Sequence, residues 1–130
     1  MLSKGSTFLQ SFTVSEDVYR GFLDAFNDRN PYHTDDAAAR AAGFPGRIMH
    51  GNILCGFLSY FVGECLPTKA VVLQSQEIAF HQPVFLNDTV TLRAEVTEVI
   101  ESVRCAQFRF TFENQHHVRV AKGKLQIGLL

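Results

Sequence analysis

A carboxylate and an imidazole, those of Asp28 and His33, stand close together in the chain with the amide of Asn30 between them. Pro31 prevents these side chains from lying along one continuous helix, because the residue before a proline is pushed out of the helical region. A loop can instead turn the carboxylate and the imidazole toward one point. Such a pair can hold a water molecule, remove a proton with one group and deliver a proton with the other. Hydration of a carbon–carbon double bond needs both acts.

The same residues also have structural interpretations. Taken alone, Asp28 as a loop cap and His33 as a surface histidine would be the commoner explanation of such a pair. Asp35 and Asp36 follow His33 and suggest a metal site. No second histidine or cysteine lies at ligand spacing, however, and both aspartates suit the start of a helix. The sequence therefore predicts no metal ion.

Other reactive side chains are weaker candidates. His50 directly precedes Gly51 and can touch a substrate, but a histidine beside a helix start is about as often a structural donor. We leave it outside the catalytic set. Cys55 lies in an apolar helical pattern, where a lone cysteine behaves as a small core residue. Three further histidines lie in strand or turn contexts and are predicted to face solvent: His81, His116 and His117.

The elements before the Asp–His pair are predicted to be a strand and a helix. Residues 7–14 predict a short opening strand, and Ser15 is a natural N-cap for the helix that follows. Apolar residues then recur at helical spacing as far as Phe26. That helix must end before Pro31, so residues 27–34 are predicted to form a structured loop.

Two helices are predicted after the pair. An alanine-rich helix covers residues 35–42 and is ended by Gly43, since glycine most easily adopts the left-handed cap conformation. Between Gly51 and Cys65 a broad apolar stripe at helical spacing predicts a longer helix, which Pro67 closes. Its high apolar content indicates that this helix is the buried one.

The second half of the chain alternates between apolar and polar residues, as in antiparallel strands. A hairpin connection is predicted at residues 113–116. After it, the apolar positions change from even to odd numbers, so the register must shift by one, and Gly123 is the predicted bulge. The alternating apolar residues are Ile78 and Phe80, then Val90, Leu92, Ala94 and Val96, then Ala106, Phe108, Phe110 and Phe112.

Composition limits the classes of function. The 130 residues, 46% hydrophobic and 19% charged, suit one compact domain covering residues 1–130. A net charge of −1 without clustered Lys or Arg argues against a nucleic-acid partner. Three cysteines without metal-ligand spacing favour a reducing compartment, so the cytoplasm is predicted. No signal segment or membrane span is expected.

One apolar helix and several long antiparallel strands predict an α+β fold, in which a curved antiparallel sheet wraps around a long central helix. An exposed sheet edge would remain, and such an edge favours dimerisation. The segments 28–33, 46–51, 80–84 and 88–90 resemble, in order and spacing, the MaoC-like or hydratase-2 family of (R)-specific enoyl-CoA hydratases.

The resemblance implies a hot-dog fold, a homodimer or higher oligomer, and reversible hydration of trans-2-enoyl thioesters to (R)-3-hydroxyacyl thioesters. It implies that Asp28 and His33 are the catalytic pair and that Asn30 shapes or contacts the substrate site. The Gly51 N–H would bind the thioester oxygen, and a helix N-terminus favours the negative charge that develops there. No cofactor is implied, and Arg29 and Arg47 are possible but weak contacts for coenzyme A phosphates.

Two departures from the family pattern leave alternatives open. Asn27 stands where the family usually has glycine, although asparagine is the best other residue for a left-handed conformation. Tyr32 replaces a usual aliphatic residue, which affects substrate preference more than catalysis. The alternatives are a hot-dog thioesterase and a non-catalytic subunit that binds acyl thioesters. Whether the acyl carrier is coenzyme A or acyl carrier protein, and how long the acyl chain is, stay open.

Overall fold

In the computed structural model, which describes residues 2–130, a five-stranded antiparallel sheet packs against one apolar helix. The strands lie in the order β1-β3-β4-β5-β2, so β1 and β2 are the two edges. In chain order the elements are β1 (Thr7–Thr13), α1 (Glu16–Phe26), α2 (Pro31–Thr34), α3 (Asp36–Ala41), α4 (Ile53–Tyr60), β2 (Val71–Phe80), β3 (Thr89–Ile100), β4 (Cys105–Glu113) and β5 (Arg119–Leu129).

Helix α1 begins and ends as the sequence predicts. The Ser15 hydroxyl accepts a hydrogen bond from Val18 N–H at 3.2 Å, which satisfies one of the free donors of the first turn. Asn27 follows the last turn in the left-handed conformation, with φ 56°, and its N–H donates to the Leu23 carbonyl at 2.8 Å. This asparagine turns the chain out of the helix and into the segment that carries Asp28.

The predicted loop at residues 27–34 is wrong in its second half, where Pro31–Thr34 form the short helix α2. Proline stands at its first turn, where the missing N–H has no intrahelical partner to lose. The Asn30 side chain caps this helix by accepting from Tyr32 N–H at 2.9 Å. Asp35 then caps α3 by accepting from two N–H groups, and Gly43 adopts φ 98° after that helix, as predicted.

The central helix is shorter than predicted, because α4 ends at Tyr60 and the chain continues as a π-helical turn, Phe61–Cys65. One face of α4 and this turn is buried in the core, and it carries Ile53, Leu54, Leu58, Phe61 and Val62. The small residues Gly56, Ser59 and Gly63 lie on the exposed side. The helix is therefore covered on one side and open on the other. In residues 2–130 no helix is long and apolar enough to cross a membrane.

Strand β4 shows how the sheet supplies the core. Phe108, Phe110 and Phe112 are each at most 2% exposed and point toward the helices. Arg109 points to the opposite face, where its guanidinium contacts the Glu95 carboxylate of β3 at 2.8 Å. This is the predicted alternation. The predicted hairpin is also present, since β4 ends at Glu113 and β5 returns beside it.

The predicted bulge at Gly123 is wrong. The register between β4 and β5 shifts at Val120, and Val120 and Ala121 are both buried, which accounts for the change from even to odd positions. Gly123 itself pairs regularly. It is needed for a different reason: a Cβ there would overlap the Glu77 carbonyl oxygen and lie 2.7 Å from the Phe110 ring. A close approach of strands, and not a bulge, requires the glycine.

Strand β2 is longer than the two predicted apolar positions, Ile78 and Phe80, since it begins at Val71. It is an edge strand that is exposed over most of its length, including Val72 and Leu73 at 47% and 39%. The alternation that marks a half-buried strand is therefore absent from its first half. Its outer main-chain groups have no neighbouring strand within residues 2–130.

Candidate active site

Asp28 and His33 line one cavity of about 470 Å³ that opens where α1, α2 and the start of α4 meet. We call residues 27–34 the Asp–His loop and residues 46–51 the supporting segment. A larger hollow of about 730 Å³ lies over the sheet, but Glu95 and Arg109 there already form an exposed ion pair. The smaller cavity, which Asp28 and His33 line, is therefore the candidate active site.

The supporting segment fixes the His33 ring. His33 Nδ1 lies 2.8 Å from the Ile48 carbonyl oxygen, and a carbonyl can only accept, so Nδ1 carries a proton. The neutral ring then has its lone pair on Nε2, which lies 3.9 Å from Asp28 Oδ2. That distance is too long for a direct hydrogen bond and suits a water molecule held by both groups. The geometry thus presents a base and a carboxylate to the same point.

Further hydrogen bonds hold the main chain of the Asp–His loop. The buried Tyr19 hydroxyl donates to the His33 carbonyl at 2.7 Å, and Ile48 N–H donates to the Tyr32 carbonyl at 3.0 Å. Asp28 Oδ1 accepts from Asn30 N–H at 3.2 Å, which closes a tight turn and leaves Oδ2 free. The side chain of His33 is 19% exposed and that of Asp28 is 52% exposed. Substrate can therefore reach both groups.

A second set of contacts fastens α3 to the supporting segment. Asp36 Oδ1 accepts from Arg47 N–H at 2.9 Å and lies 3.4 Å from Arg47 Nε. This main-chain hydrogen bond, aided by the nearby arginine charges, lowers the pKa of the Asp36 carboxyl below its ordinary value of 3.8. Arg47 also lies over the Tyr19 ring, 5.2 Å from its centroid. Asp36 is thus a structural anchor, as its predicted place at a helix start suggests.

His50, which sequence reasoning left outside the catalytic set, lies in the middle of the site. Its ring is 3% exposed, and its centroid lies 4.1 Å from that of His33. His50 Nε2 lies 2.8 Å from the Asp28 carbonyl oxygen, to which it must donate. Its Nδ1 is buried without a hydrogen-bond partner in residues 2–130. The adjacent Gly51 in the His-Gly pair is the sequence signal that places this residue at the cavity.

Three groups lie close enough to suggest a metal site: donor atoms of Asp28, His33 and His50 are all within 4.8 Å of one another. His50 Nε2, however, carries a proton that it donates in a hydrogen bond to the Asp28 carbonyl, and His50 Nδ1 has less than 1 Å² of accessible surface. Two ligands then remain available at the cavity, fewer than the three protein ligands of a typical catalytic zinc site. The arrangement favours acid–base chemistry, and the absence of a metal stays a prediction.

The two predicted substrate-binding residues differ in position. Gly51 lines the cavity just before α4, where the first N–H groups of a helix have no intrahelical partner. A Cβ at Gly51 would lie 3.1 Å from the Phe80 ring, so glycine keeps this approach open. Asn30 caps α2 and does not line the cavity, so its support for the site is indirect. Its predicted contact with substrate stays a prediction.

The remaining candidates lie as expected for residues without a catalytic role. His81, His116 and His117 are exposed, although His81 borders the cavity. Cys55 and Cys65 are partly buried, and burial raises the pKa of both thiols, which disfavours the nucleophilic thiolate. Gln76 beside Cys55 and Lys69 beside Cys65 lower the thiol pKa by less than burial raises it, so neither cysteine is activated.

Residues 3–119 match the family described as MaoC like domain. An (R)-specific enoyl-CoA hydratase of Rhodospirillum rubrum is 32% identical over 111 residues, which cover 85% of this chain and 76% of that protein. A 3-hydroxybutyryl-CoA dehydratase of Methylorubrum extorquens is 34% identical over 110 residues, covering 85% and 70%. The solved structure of an (R)-hydratase from Aeromonas caviae superimposes with a TM-score of 0.91 at 29% identity, covering 99% of this chain and 98% of that one.

Proposed function

The chain belongs to the MaoC-like domain family and has the hot-dog fold of its hydratases, and from that premise we propose how its Asp–His loop works. The protein is a hydro-lyase that interconverts trans-2-enoyl and (R)-3-hydroxyacyl thioesters. We assign the catalysis to Asp28 and His33. The observation that carries this assignment is the 3.9 Å gap between Asp28 Oδ2 and His33 Nε2 inside a cavity open to substrate.

The gap suits a water molecule that donates one hydrogen bond to Asp28 and the other to His33 Nε2. In hydration, the water oxygen bonds to C3 of the enoyl group while one member of the pair takes its proton. A proton is returned to C2, so the enzyme gains none overall. Dehydration is the same sequence reversed. This use of two differently placed groups is general acid–base catalysis and requires no metal or redox cofactor.

Attack at C3 moves negative charge onto the thioester oxygen, and a hydrogen-bond donor is needed to stabilise that charge. We assign this role to the Gly51 N–H, which stands at the N-terminal end of α4, where the helix dipole also favours an anion. The cavity that contains Asp28 and His33 also contains Gly51. One thioester can therefore meet the pair and the N–H together.

We also propose that the protein is a homodimer formed along the edge of β2. This edge has no strand beside it within residues 2–130, and Val72, Leu73 and Phe80 expose 47%, 39% and 50% of their surface. Phe80 also borders the active-site cavity, so a second copy on this edge would extend the wall of that cavity.

The three free cysteines, Cys55, Cys65 and Cys105, support a cytoplasmic location. One continuous core within residues 2–130 supports the proposal of a single domain.

The first test is the enoyl absorbance of crotonyl-CoA in the presence of the purified protein, with a thiol reagent in a parallel channel. The wild type is expected to lower the enoyl absorbance without releasing thiol. Asp28→Asn and His33→Ala are each expected to lower kcat about 100- to 10,000-fold, the usual range for a positioned acid or base. Exposed residues provide matched controls, Asp24→Asn and His116→Ala, which are expected to retain activity.

The outcomes separate the alternatives. Release of thiol would identify a thioesterase, in which the carboxylate activates water against the carbonyl carbon. A folded protein that is stabilised by crotonyl-CoA yet does neither reaction would be a binding subunit. Full activity in both site variants would remove Asp28 and His33 from the mechanism while leaving the hydratase function in place.

A further inference from the structure

We propose that His50 is a positioning residue, which holds the Asp28 carboxylate against His33 as a neutral ring protonated on Nε2. This inference rests on the proposed function, because it assigns a further role within the same site. Three observations on the His50 ring carry it: its hydrogen bond to Asp28, its burial, and its unpartnered second nitrogen.

The hydrogen bond joins the main chain of Asp28, the residue that carries the catalytic carboxylate, to a rigid element. His50 Nε2 donates to the main-chain carbonyl of Asp28 at 2.8 Å, across 22 residues of sequence. On the other side, the His50 carbonyl accepts from Ile53 N–H at 3.1 Å, in the first turn of α4. His50 therefore fixes the main chain of Asp28 relative to the buried helix α4, and Gly51 lies at the N-terminal end of that helix.

The two ends of the Asp–His loop are held unequally. At the His33 end, the Ile48 carbonyl accepts from His33 Nδ1, and Tyr19 donates to the His33 carbonyl. At the Asp28 end, the His50 hydrogen bond reaches the main chain from the supporting segment. Loss of the His50 donor would free the main chain of Asp28, and so let its carboxylate shift, while leaving the imidazole in place. The 3.9 Å gap would then widen or vary.

Packing alone does not account for a histidine here. The ring lies among aromatic side chains, with its centroid 4.1 Å from that of His33 and 4.7 Å from that of Phe22. An apolar side chain of similar size would fill this space without burying Nδ1, an acceptor that has no partner in residues 2–130. The polar group that explains the choice of residue is Nε2–H.

The tautomer follows from the same contacts. Because the Asp28 carbonyl can only accept, Nε2 carries the proton. A second proton on Nδ1 would place an unpaired charge in a buried site beside His33. His50 is thus a fixed donor and does not exchange protons with the substrate. In this it differs from His33, whose Nε2 faces the cavity.

The test compares three substitutions by steady-state kinetics on crotonyl-CoA. A glutamine amide can place its N–H near the position of Nε2, whereas an asparagine amide reaches only that of Nδ1, and leucine has neither. We expect His50→Leu and His50→Asn to lower kcat about 10- to 100-fold with little change in KM, as displacement of a catalytic group does. His50→Gln should recover most of that loss. Thermal unfolding of each variant gives the folded fraction.

A spectroscopic measurement adds a readout that does not depend on activity. The ¹⁵N chemical shifts of His50 in the wild type should show a protonated Nε2 and an unprotonated Nδ1. A proton on Nδ1 would overturn the proposal. So would a His50→Leu enzyme with normal kcat, a His50→Gln enzyme as slow as His50→Asn, or kcat losses that match the loss of folded protein. A wild type that is inactive on crotonyl-CoA and also on longer enoyl thioesters of coenzyme A and of acyl carrier protein would instead refute the proposed function.

Discussion

The sheet and the Asp–His loop are stabilised in different ways. In the sheet, buried aromatic and aliphatic side chains such as Phe108 and Phe112 share one core, so each is supported by many neighbours. In the loop, Asp28 and Tyr32 are exposed, and the segment is held by separate hydrogen bonds from Tyr19, Ile48 and His50. The contacts that make the protein stable are thus largely distinct from those that make it active.

Stability and activity can therefore be changed separately in this protein. A cavity in the core lowers the free energy of unfolding, because the lost contacts cannot be replaced. A lost hydrogen bond in the loop shifts a catalytic group, and a small displacement can cost much more in rate than in stability. Four substitutions test the comparison.

The largest change in stability is expected from Phe112→Ala. Phe112 is 0% exposed, and removing its ring should lower the free energy of unfolding by about 3–5 kcal/mol. Urea titration measures the loss, and activity per folded molecule should stay normal. Phe26→Ala is the matched control, since Phe26 is 70% exposed and the change should be small. An equal loss in both variants would contradict the core described above.

A smaller change is expected from Asn27→Val, at the point where α1 passes into the Asp–His loop. A β-branched residue at φ 56° should cost about 1–2 kcal/mol, and the displaced loop should also lower kcat. Asn27→Gly, which removes the strain, should leave both quantities nearly unchanged. If valine were tolerated as well as glycine in both assays, the left-handed turn would not be what positions Asp28.

Tyr19→Phe removes the hydroxyl that donates to the His33 carbonyl. A buried hydrogen bond of this kind contributes about 1 kcal/mol, so Tm should fall slightly. If the bond positions His33, kcat should fall about fivefold or more, as about 1 kcal/mol in the transition state requires. Tyr60→Phe is the control, because Tyr60 is 52% exposed. A normal kcat with a lowered Tm would assign Tyr19 to stability alone.

The smallest effect is expected from Asp36→Asn, and it should depend on pH. The pKa of the Asp36 carboxyl is lowered chiefly by the Arg47 N–H hydrogen bond. The charged Asp36 carboxylate therefore stabilises the folded state at pH values above 3.8, the ordinary pKa of the group. This stabilisation is lost as the pH falls through the lower pKa of the folded state. The variant should have a slightly lower Tm at neutral pH, and the difference should vanish in acid. A difference that grew toward acid would contradict a lowered pKa for the Asp36 carboxyl.

Regular periodicity made most of the fold predictable. The strands β3 and β4 and the helix α1 each bury one face, so their apolar residues repeat at the spacing of the element. Edge strand β2 was only partly predicted, since exposure on both faces removes that signal. Gly123 was placed in a bulge because the local pattern cannot show the Glu77 carbonyl, which approaches it from another strand.

The site was predictable to a different extent. The Asp28 and His33 pair was visible because its members are near in sequence and carry the family spacing. The sequence does not predict the short helix at Pro31, because proline indicates a helix boundary as well as a first helical turn. The His-Gly pair indicates that His50 lies near the cavity, but its hydrogen bond to the Asp28 carbonyl could not be predicted, because that bond joins segments 22 residues apart. Only the folded chain brings them together.

The unpaired edge of β2 has a further consequence for solution behaviour. If two copies pair there, the folded state is stabilised by mass action, and the measured Tm rises with protein concentration. Dilution would then separate the copies, expose the edge and remove part of the wall of the cavity beside Phe80 at the same time. Specific activity would fall on dilution, at concentrations near the dissociation constant of the pair. An enzyme of this design would be controlled by its own abundance.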